Sequence, residues 1–249
     1  MQRRFFILAL TAVSLLSSCS SPIPEPLNSF LLSFSSSKVS GRVKSASYTY
    51  EERMYTKVVA ADGTFVNGEQ VGVYTQKISL DLTEDQYSYL NEQTWEGETI
   101  PEGSDQIFDS RTLTKDKDGD KWTEVTVRKY TDASQDTSET KDGILAGDAL
   151  SATQIYLFGN TQTNLGGLYY GDFLRSVSKY GWSYMTIGSD DHLVYDPPAQ
   201  GVSTDTQTYL DLKIEVNDLG LLLERTMSGY DAEKDRMAES QGQATYIYF

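Results

Sequence analysis

The sequence predicts a mainly β (α+β) fold: a curved antiparallel sheet in hairpin order with one or two helices packed on it. Three observations support this prediction. From Ser45 onward, short stretches rich in Tyr, Thr and Val alternate apolar with polar residues, as half-buried strands do. Turn sequences separate neighbouring stretches, which is typical of hairpins. Helical spacing occurs only in a few segments, so the order of elements is not a βαβ series.

The first 18 residues are typical of a signal peptide. Arg3 and Arg4 form a basic start, and an apolar run from Phe5 to Leu16 follows them. This run is shorter than the roughly 20 residues that a membrane-spanning helix needs. The sequence therefore predicts a secreted chain that starts at residue 19 and has no permanent transmembrane helix.

Leu16-Ser17-Ser18-Cys19 resembles the lipobox of bacterial lipoproteins, in which a branched apolar residue and two small residues precede a cysteine. The resemblance implies transfer of a diacylglyceryl group to the Cys19 sulfur and cleavage between Ser18 and Cys19. Two acyl chains, at roughly 0.8 kcal/mol per buried methylene, hold a protein stably on a membrane. The implied location is extracytoplasmic, with the chain lipid-anchored to an inner or an outer cell membrane. The alternative is an ordinary secretory signal with an incidental cysteine.

Residues 19–44 are predicted to form the lipidated N-terminus, a polar tether and a short helix. Three prolines, at positions 22, 24 and 26, favour an extended path through the tether. The apolar segment Leu27–Phe34 is long enough for a short packing helix, which the serines after it should end. Residues 45–249 are predicted to form a single domain, because no internal repeat or linker divides them.

The first half of this domain has the pattern of successive hairpins. The most secure hairpin surrounds the turn dipeptide Asp118-Gly119, because Val125 and Val127 share one face of its second strand. Residues 131–143 contain no large apolar side chain and are predicted to form an exposed loop. The strands predicted in this half are 45–60, Val71–Leu82, Gln86–Trp95, Ile107–Lys115 and Lys121–Tyr130.

The second half combines helices with further strands. Asp148 is a candidate N-cap for a helix over Ala149–Phe158, and apolar residues at helical spacing predict another helix over Leu168–Tyr180. Residues 217–220 form a turn between two strands, and residues 231–243 are predicted to be a polar loop. The predicted strands are Trp182–Ile187, His192–Tyr195, Tyr209–Val216 with its even-numbered residues inward, Leu221–Met227 and Ala244–Phe249.

Composition excludes several classes of protein and of site. One cysteine cannot form an internal disulfide, and one cysteine with one histidine is too few for a zinc site of the usual ligands. A formal net charge of -15 disfavours nucleic-acid binding, because a phosphate backbone is also anionic. Four carboxylates between Asp116 and Glu124 resemble part of a calcium loop. However, Lys121 and Val127 occupy the positions of its glycine and its bidentate glutamate, so a charged hairpin turn is the favoured interpretation and no metal site is predicted.

No group of side chains in the sequence predicts catalysis. His192 is the single imidazole, and the Gly-x-Ser-x-Gly motif of many serine hydrolases is missing. Glu51 and Glu52 are adjacent, so on a strand they point to opposite faces and cannot act together as a glycosidase pair. The sequence therefore predicts a protein that is not an enzyme and that needs no cofactor.

Tyrosine is a frequent residue in this chain, with 17 copies. Small-molecule sites are lined mainly by aromatic and aliphatic side chains, so tyrosines on one face of the sheet could line a concave apolar cleft. The alternative is that tyrosine is frequent because it favours strands. The candidate cleft residues are Tyr48, Tyr50, Tyr87, Tyr89, Tyr169, Tyr170, Tyr180 and Trp182.

The order of elements resembles that of lipoproteins with the fold of LolA, a periplasmic lipoprotein carrier. The shared features are the lipobox, the polar tether, the short helix, the hairpin meander and the late hairpin at Leu212–Gly220. In that family a curved antiparallel sheet wraps helices, and the cavity between them holds acyl chains. The resemblance implies a non-enzymatic binding module for a lipid or other apolar ligand, without assigning its binding residues. The alternative is an envelope-structural or surface protein-interaction lipoprotein with a filled core.

Overall fold

The structure is a computed structural model, and the residues that it describes form one large antiparallel sheet with helices packed on it. These residues are 22–39, 42–55, 69–83, 85–97, 106–116, 121–145, 167–188, 191–198, 200–201, 209–230 and 236–249. The strands are β1 (Val43–Tyr55), β2 (Gln70–Leu82), β3 (Gln86–Gly97), β4 (Gln106–Lys115), β5 (Lys121–Tyr130), β6 (Thr137–Leu145), β7 (Met185–Ile187), β8 (Leu193–Tyr195), β9 (Gln200–Gly201), β10 (Tyr209–Val216), β11 (Leu222–Tyr230) and β12 (Arg236–Tyr248).

The first six strands lie side by side in chain order, and β12 pairs with the free side of β1. Within the described residues the order is β6-β5-β4-β3-β2-β1-β12-β11-β10-β8-β7, with β9 beside β10. Each described pair is antiparallel, and the sheet is open. The predicted fold class, a mainly β curved antiparallel sheet with helices packed on it, is therefore confirmed.

In the described ranges, the α-helices lie near the start of the chain and before β7. They are α1 (Leu27–Ser33), α2 (Ser36–Val39) and α3 (Gly171–Gly181), and α1 contacts α3. α1 coincides with the predicted short helix, whereas the helix predicted over 149–158 lies outside the described residues. In the part of the chain that is described, no helix has both the length and the apolar character needed to cross a membrane.

α3 begins at Gly171, three residues later than predicted, because residues 168–170 pair with the β10–β11 turn. The Leu222 amide donates to the Leu168 carbonyl over 2.7 Å, and the Tyr170 amide donates to the Gly220 carbonyl over 2.8 Å. Tyr169 also forms an isolated antiparallel bridge with Leu221, so this segment pairs with the hairpin before the helix begins. Tertiary pairing thus overrides the helical spacing of its apolar side chains.

The exposed loop predicted over 131–143 is wrong from Thr137 onward, where β6 (Thr137–Leu145) begins, whereas the predicted exposure of these residues is confirmed. β6 is an edge strand that pairs with β5 along its length, and nearly all of its side chains are exposed. A strand held by its backbone ladder and exposed on both faces has no need of apolar alternation. The sequence pattern on which the loop prediction depended was therefore uninformative.

The predicted polar loop over 231–243 is also wrong from residue 236 onward, where β12 begins; residues 231–235 lie outside the described part. β12 carries small residues on its buried face, including Ala238, Ser240, Gly242 and Ala244, rather than large apolar ones. Another prediction fails at residues 182–184, which form a 3-10 turn, so that β7 starts only at Met185.

The main core lies between one face of the sheet, here called the inner face, and the helices. The inner face carries Tyr48, Leu80 and Ile214, which belong to the main cluster of buried residues together with Leu31 of α1 and Leu174 of α3. The predicted alternation of β10 is confirmed where side chains are described: Leu212, Ile214 and Val216 are 7, 0 and 0 % exposed. A smaller cluster, built on Leu113 and Trp122, lies toward the β6 edge.

Candidate functional site

A cavity of about 380 Å³ lies on the inner face, beside the main core. Its aromatic walls are Tyr48 and Tyr50 of β1, Tyr89 of β3 and Tyr170, the residue before α3. Its aliphatic walls are Ile78, Leu168 and Leu222, and its polar side chains are Gln76 and Arg225. A mainly aromatic and aliphatic wall with few polar groups is the usual composition of a small-molecule site.

The strand register places these side chains together. Tyr48 pairs with Ile78 and Tyr50 pairs with Gln76 across β1 and β2, while Leu80 pairs with Tyr89 across β2 and β3. Alternate residues of a strand point to the same face, so the tyrosines of one strand project side by side. Tyr48 and Tyr50 stack with their ring centroids 6.4 Å apart. The alternation seen in the sequence thus builds a continuous aromatic wall.

Arg225 of β11 lies on this wall and interacts there with tyrosines. Its Nη1 donates to Tyr170 Oη over 3.1 Å, and its Nη2 donates to Tyr48 Oη over 3.4 Å. Its guanidinium carbon lies 5.4 Å from the ring centroid of Tyr50, a cation–π distance. Arg225 Nε is buried and has no hydrogen-bond partner among the described groups.

The two hydroxyls beside Arg225 can donate as well as accept. Burial raises the pKa of Tyr48 to about 12, although the charge of Arg225 acts in the opposite direction. The Tyr48 hydroxyl therefore keeps its proton at neutral pH. Each hydroxyl accepts a bond from Arg225, and within the described residues neither Tyr48 nor Tyr170 donates its own proton to an acceptor. Both protons remain available for a further partner.

Gly242 of β12 makes room for the Tyr48 ring. A Cβ atom at position 242 would collide with Tyr48 Oη and would lie 2.9 Å from two ring carbons. Real Cβ atoms do not approach other heavy atoms this closely. The missing side chain at Gly242 is thus a condition for the position of the Tyr48 hydroxyl beside Arg225.

The raised pKa of Tyr48 predicts a loss of stability at alkaline pH. The neutral phenol is favoured in the folded state, so its contribution is complete below about pH 10, the ordinary tyrosine value, and is lost toward about 12. The free energy of unfolding, measured by urea denaturation, should fall across this interval. Tyr48→Phe should make the fall smaller, whereas Tyr180→Phe, on the exposed surface, should leave it unchanged. If the free energy of unfolding has the same pH dependence in the wild type and in Tyr48→Phe, the raised pKa of Tyr48 does not contribute to the fall.

The structure brings together half of the predicted cleft residues. Tyr48, Tyr50, Tyr89 and Tyr170 line the cavity. The other four lie elsewhere: Tyr87 stacks on Trp122 at 4.5 Å in the smaller cluster, Tyr169 is buried outside the cavity lining, Trp182 packs against the main core and Tyr180 is 69 % exposed.

The candidate catalytic residues do not meet in this cavity. His192 Nδ1 lies 3.0 Å from Glu215 Oε1, away from the cavity lining. Glu51 pairs with Arg53 at 2.6 Å, while Glu52 accepts from the Tyr50 hydroxyl at 3.0 Å. The two glutamates therefore lie on opposite faces of β1, as predicted.

The acidic segment from Asp116 to Glu124 is divided between the two faces of the β4–β5 hairpin. Asp116 accepts a hydrogen bond from the Thr123 hydroxyl, at 3.0 Å, while Glu124 forms an ion pair with Arg111. Successive residues of a strand face opposite sides, so Glu124 points away from Thr123. Asp118 and Asp120 lie outside the described residues, among which no group of three His, Cys, Asp or Glu could hold a metal ion. The sequence that resembles a lipobox, with Ser18 and Cys19, also lies outside them.

The sequence predicts only the tyrosines of the lining, and Arg225 is the charged lining residue that sequence reasoning missed. The hairpin register of the structure turns Arg225 inward, because Arg225 pairs with Ile214, whose side chain is buried. A bulge near the turn, between the pairs Glu215–Glu224 and Val216–Leu222, adds one residue to β11 and shifts its alternation. Counting outward from the turn without that bulge places Arg225 on the wrong face.

Comparison with known proteins assigns no family. No family model matches the chain, and no curated protein matches it. A similar solved structure is that of a beta-barrel-like protein of a domain of unknown function, DUF1849, from Brucella abortus. It is 11% identical, with a TM-score of 0.21, and the match covers 84% of this chain and 100% of that chain. A likeness of this size carries no functional assignment.

Proposed function

We propose that this protein is a lipoprotein of the extracytoplasmic membrane surface, anchored through diacylated Cys19, whose folded part binds a lipid or another apolar ligand without catalysis. The cavity on the inner face carries the ligand-binding half of this proposal. The sequence Leu16-Ser17-Ser18-Cys19 carries the other half, since it resembles a lipobox.

The size and lining of the cavity support binding of an apolar molecule. Its volume of about 380 Å³ lies within the roughly 300–1,000 Å³ that is usual for small-molecule sites. Burying an apolar chain against these walls would release about 25 cal/mol per Å² of apolar surface. A filled core, which the structural or interaction alternative requires, would leave no space of this size, so the cavity favours the binding function.

Native mass spectrometry of the mature protein tests the binding function. Protein isolated from membranes is expected to carry a non-covalent lipid mass in addition to the covalent lipid on Cys19. Ile78→Trp should remove most of this non-covalent mass, because the larger side chain fills the cavity.

The adjacent residue offers a matched control for that variant. Ser79 is exposed and points to the opposite face of β2. Ser79→Trp should therefore leave the bound lipid in place. A mature protein that carries only its covalent lipid, and that added lipid does not stabilise against heat, would overturn the proposed binding function.

A further inference from the structure

Arg225 differs from other arginines of the inner face because its side chain interacts with tyrosines and not with a carboxylate. Arg111 of β4 pairs with Glu124, and Arg128 of β5 lies 3.5 Å from Asp109. Among the described residues no carboxylate forms an ion pair with Arg225, and the cavity lining contains no acid. The chain has 36 acidic residues, so a shortage of acids does not explain why Arg225 has no such partner among the described residues. Within the described part of the chain, Arg225 thus brings to the cavity wall a positive charge without an ion-pair partner.

Hydrogen-bond donors accompany this charge. The hydroxyls of Tyr48 and Tyr170 each accept from Arg225 and still hold a proton to donate. Arg225 Nε–H is a further buried donor without a partner among the described residues. Buried donors left unpaired cost free energy, and a charge that is desolvated without a counter-charge costs more. Oxygen atoms of an anion would satisfy both needs at once.

The remainder of the lining restricts the shape of that anion. Ile78, Leu168 and Leu222 present hydrocarbon to the same space. A small inorganic anion would leave this apolar wall unused, whereas an acyl chain would cover it. We infer that the ligand is a single-chain amphiphile with a monoanionic oxygen head, such as a fatty acid, whose head is held by Arg225 and the two tyrosine hydroxyls. This inference rests on the proposed binding function and adds the chemistry of the head.

Competition for the cavity tests the inference. Mature protein in one mild detergent is cross-linked by a photoactivatable dodecanol analogue, and peptide mapping checks that the label lies on cavity residues. Laurate, dodecanol and dodecylamine then compete; they share a tail and differ in the head. Laurate is expected to displace the probe at a concentration about 10- to 100-fold lower than dodecanol, as for a hydrogen-bonded charge pair. Dodecylamine should be the weakest competitor, and acetate, which has the head alone, should not compete.

Variants separate the role of Arg225 from a general effect on folding. Arg225→Gln should abolish the preference for laurate over dodecanol, and the double variant Tyr48→Phe/Tyr170→Phe should reduce it while keeping both rings. Arg128→Gln is the matched control, because Arg128 lies on the inner face outside the cavity lining. The preference for laurate over dodecanol is measured on the wild-type protein. This measurement therefore still tests the inference if Arg225→Gln does not fold.

The outcomes distinguish two failures. If the probe labels no cavity residue and no amphiphile competes, the proposed binding function fails. If dodecanol competes as well as laurate, or if Arg225→Gln keeps the preference, only the anionic head is refuted. If acetate competes as strongly as laurate, the site takes a small free anion and the amphiphile is refuted.

Discussion

Replacing Cys19 with serine is expected to move the protein from the membrane fraction to the soluble fraction, or to leave the precursor uncleaved. A serine hydroxyl is a far weaker nucleophile than a thiol, so it would not receive the diacylglyceryl group. Loss of two acyl chains, at roughly 0.8 kcal/mol for each buried methylene, removes the whole anchor. Cell fractionation and the intact mass of the product measure the effect.

The matched control for this variant is Ser21→Ala, which changes the same polar segment but keeps the thiol. It should remain in the membrane fraction with an unchanged lipid mass. The acidic balance of the chain, -15 overall, disfavours binding of the body to an anionic bilayer. Cys19→Ser protein that is processed and fractionates like the wild type would therefore refute the lipoprotein proposal.

Gly220→Ala is expected to destabilise the fold more than a substitution at another glycine of similar backbone conformation. Gly220 has a φ of 77°, and a Cβ atom there would lie 3.0 Å from the Gly171 Cα at the start of α3. The left-handed conformation costs an alanine about 1–2 kcal/mol, and overpacking adds about 1–3 kcal/mol. Urea denaturation should show both, and the Tyr170 wall of the cavity should shift, because the Tyr170 amide donates to the Gly220 carbonyl.

Gly143→Ala separates the two contributions. Gly143 has a φ of 79°, but the nearest atom to an added Cβ is Lys121 Cδ at 4.0 Å. This variant should lose only the conformational part, about 1–2 kcal/mol. Equal losses of unfolding free energy in the two variants would show that the contact between the turn and α3 does not contribute.

The fold class could be predicted because many strands have one solvent-exposed face and one face buried in the core. β10 shows this best, since Leu212, Ile214 and Val216 are buried and the residues between them are not. β6 and the first part of β12 could not be predicted in this way. β6 buries almost nothing. The buried face of the first part of β12 consists of small residues, and one of them, Gly242, leaves room for the Tyr48 ring of β1. Hydrophobic periodicity reports burial of large side chains, not backbone pairing.

The candidate site was predictable in part. An aromatic wall follows from tyrosines at alternate positions, which explains why the prediction of Tyr48 and Tyr50 as cleft residues agrees with the cavity lining. Arg225 was not predictable, because its direction depends on a bulge that no local pattern marks. The prediction of Tyr180 as a cleft residue is wrong for another reason. A tyrosine on a helix can pack on the core or face solvent, and Tyr180 faces solvent. The strand register decides which aromatic side chains contact each other, and this register is set by the whole sheet rather than by one strand.

The pairing of β1 with β12 has a consequence for the order of folding. These two strands are far apart in the chain, since Tyr55 contacts Glu239 across 184 residues, yet together they form the middle of the sheet. Contacts of such long range are slow to form, because the loop entropy must be lost before they stabilise anything. Tyr48 and Arg225 belong to strands that only β12 joins. We therefore expect the cavity on the inner face to form last, once β12 has joined β1 to β11.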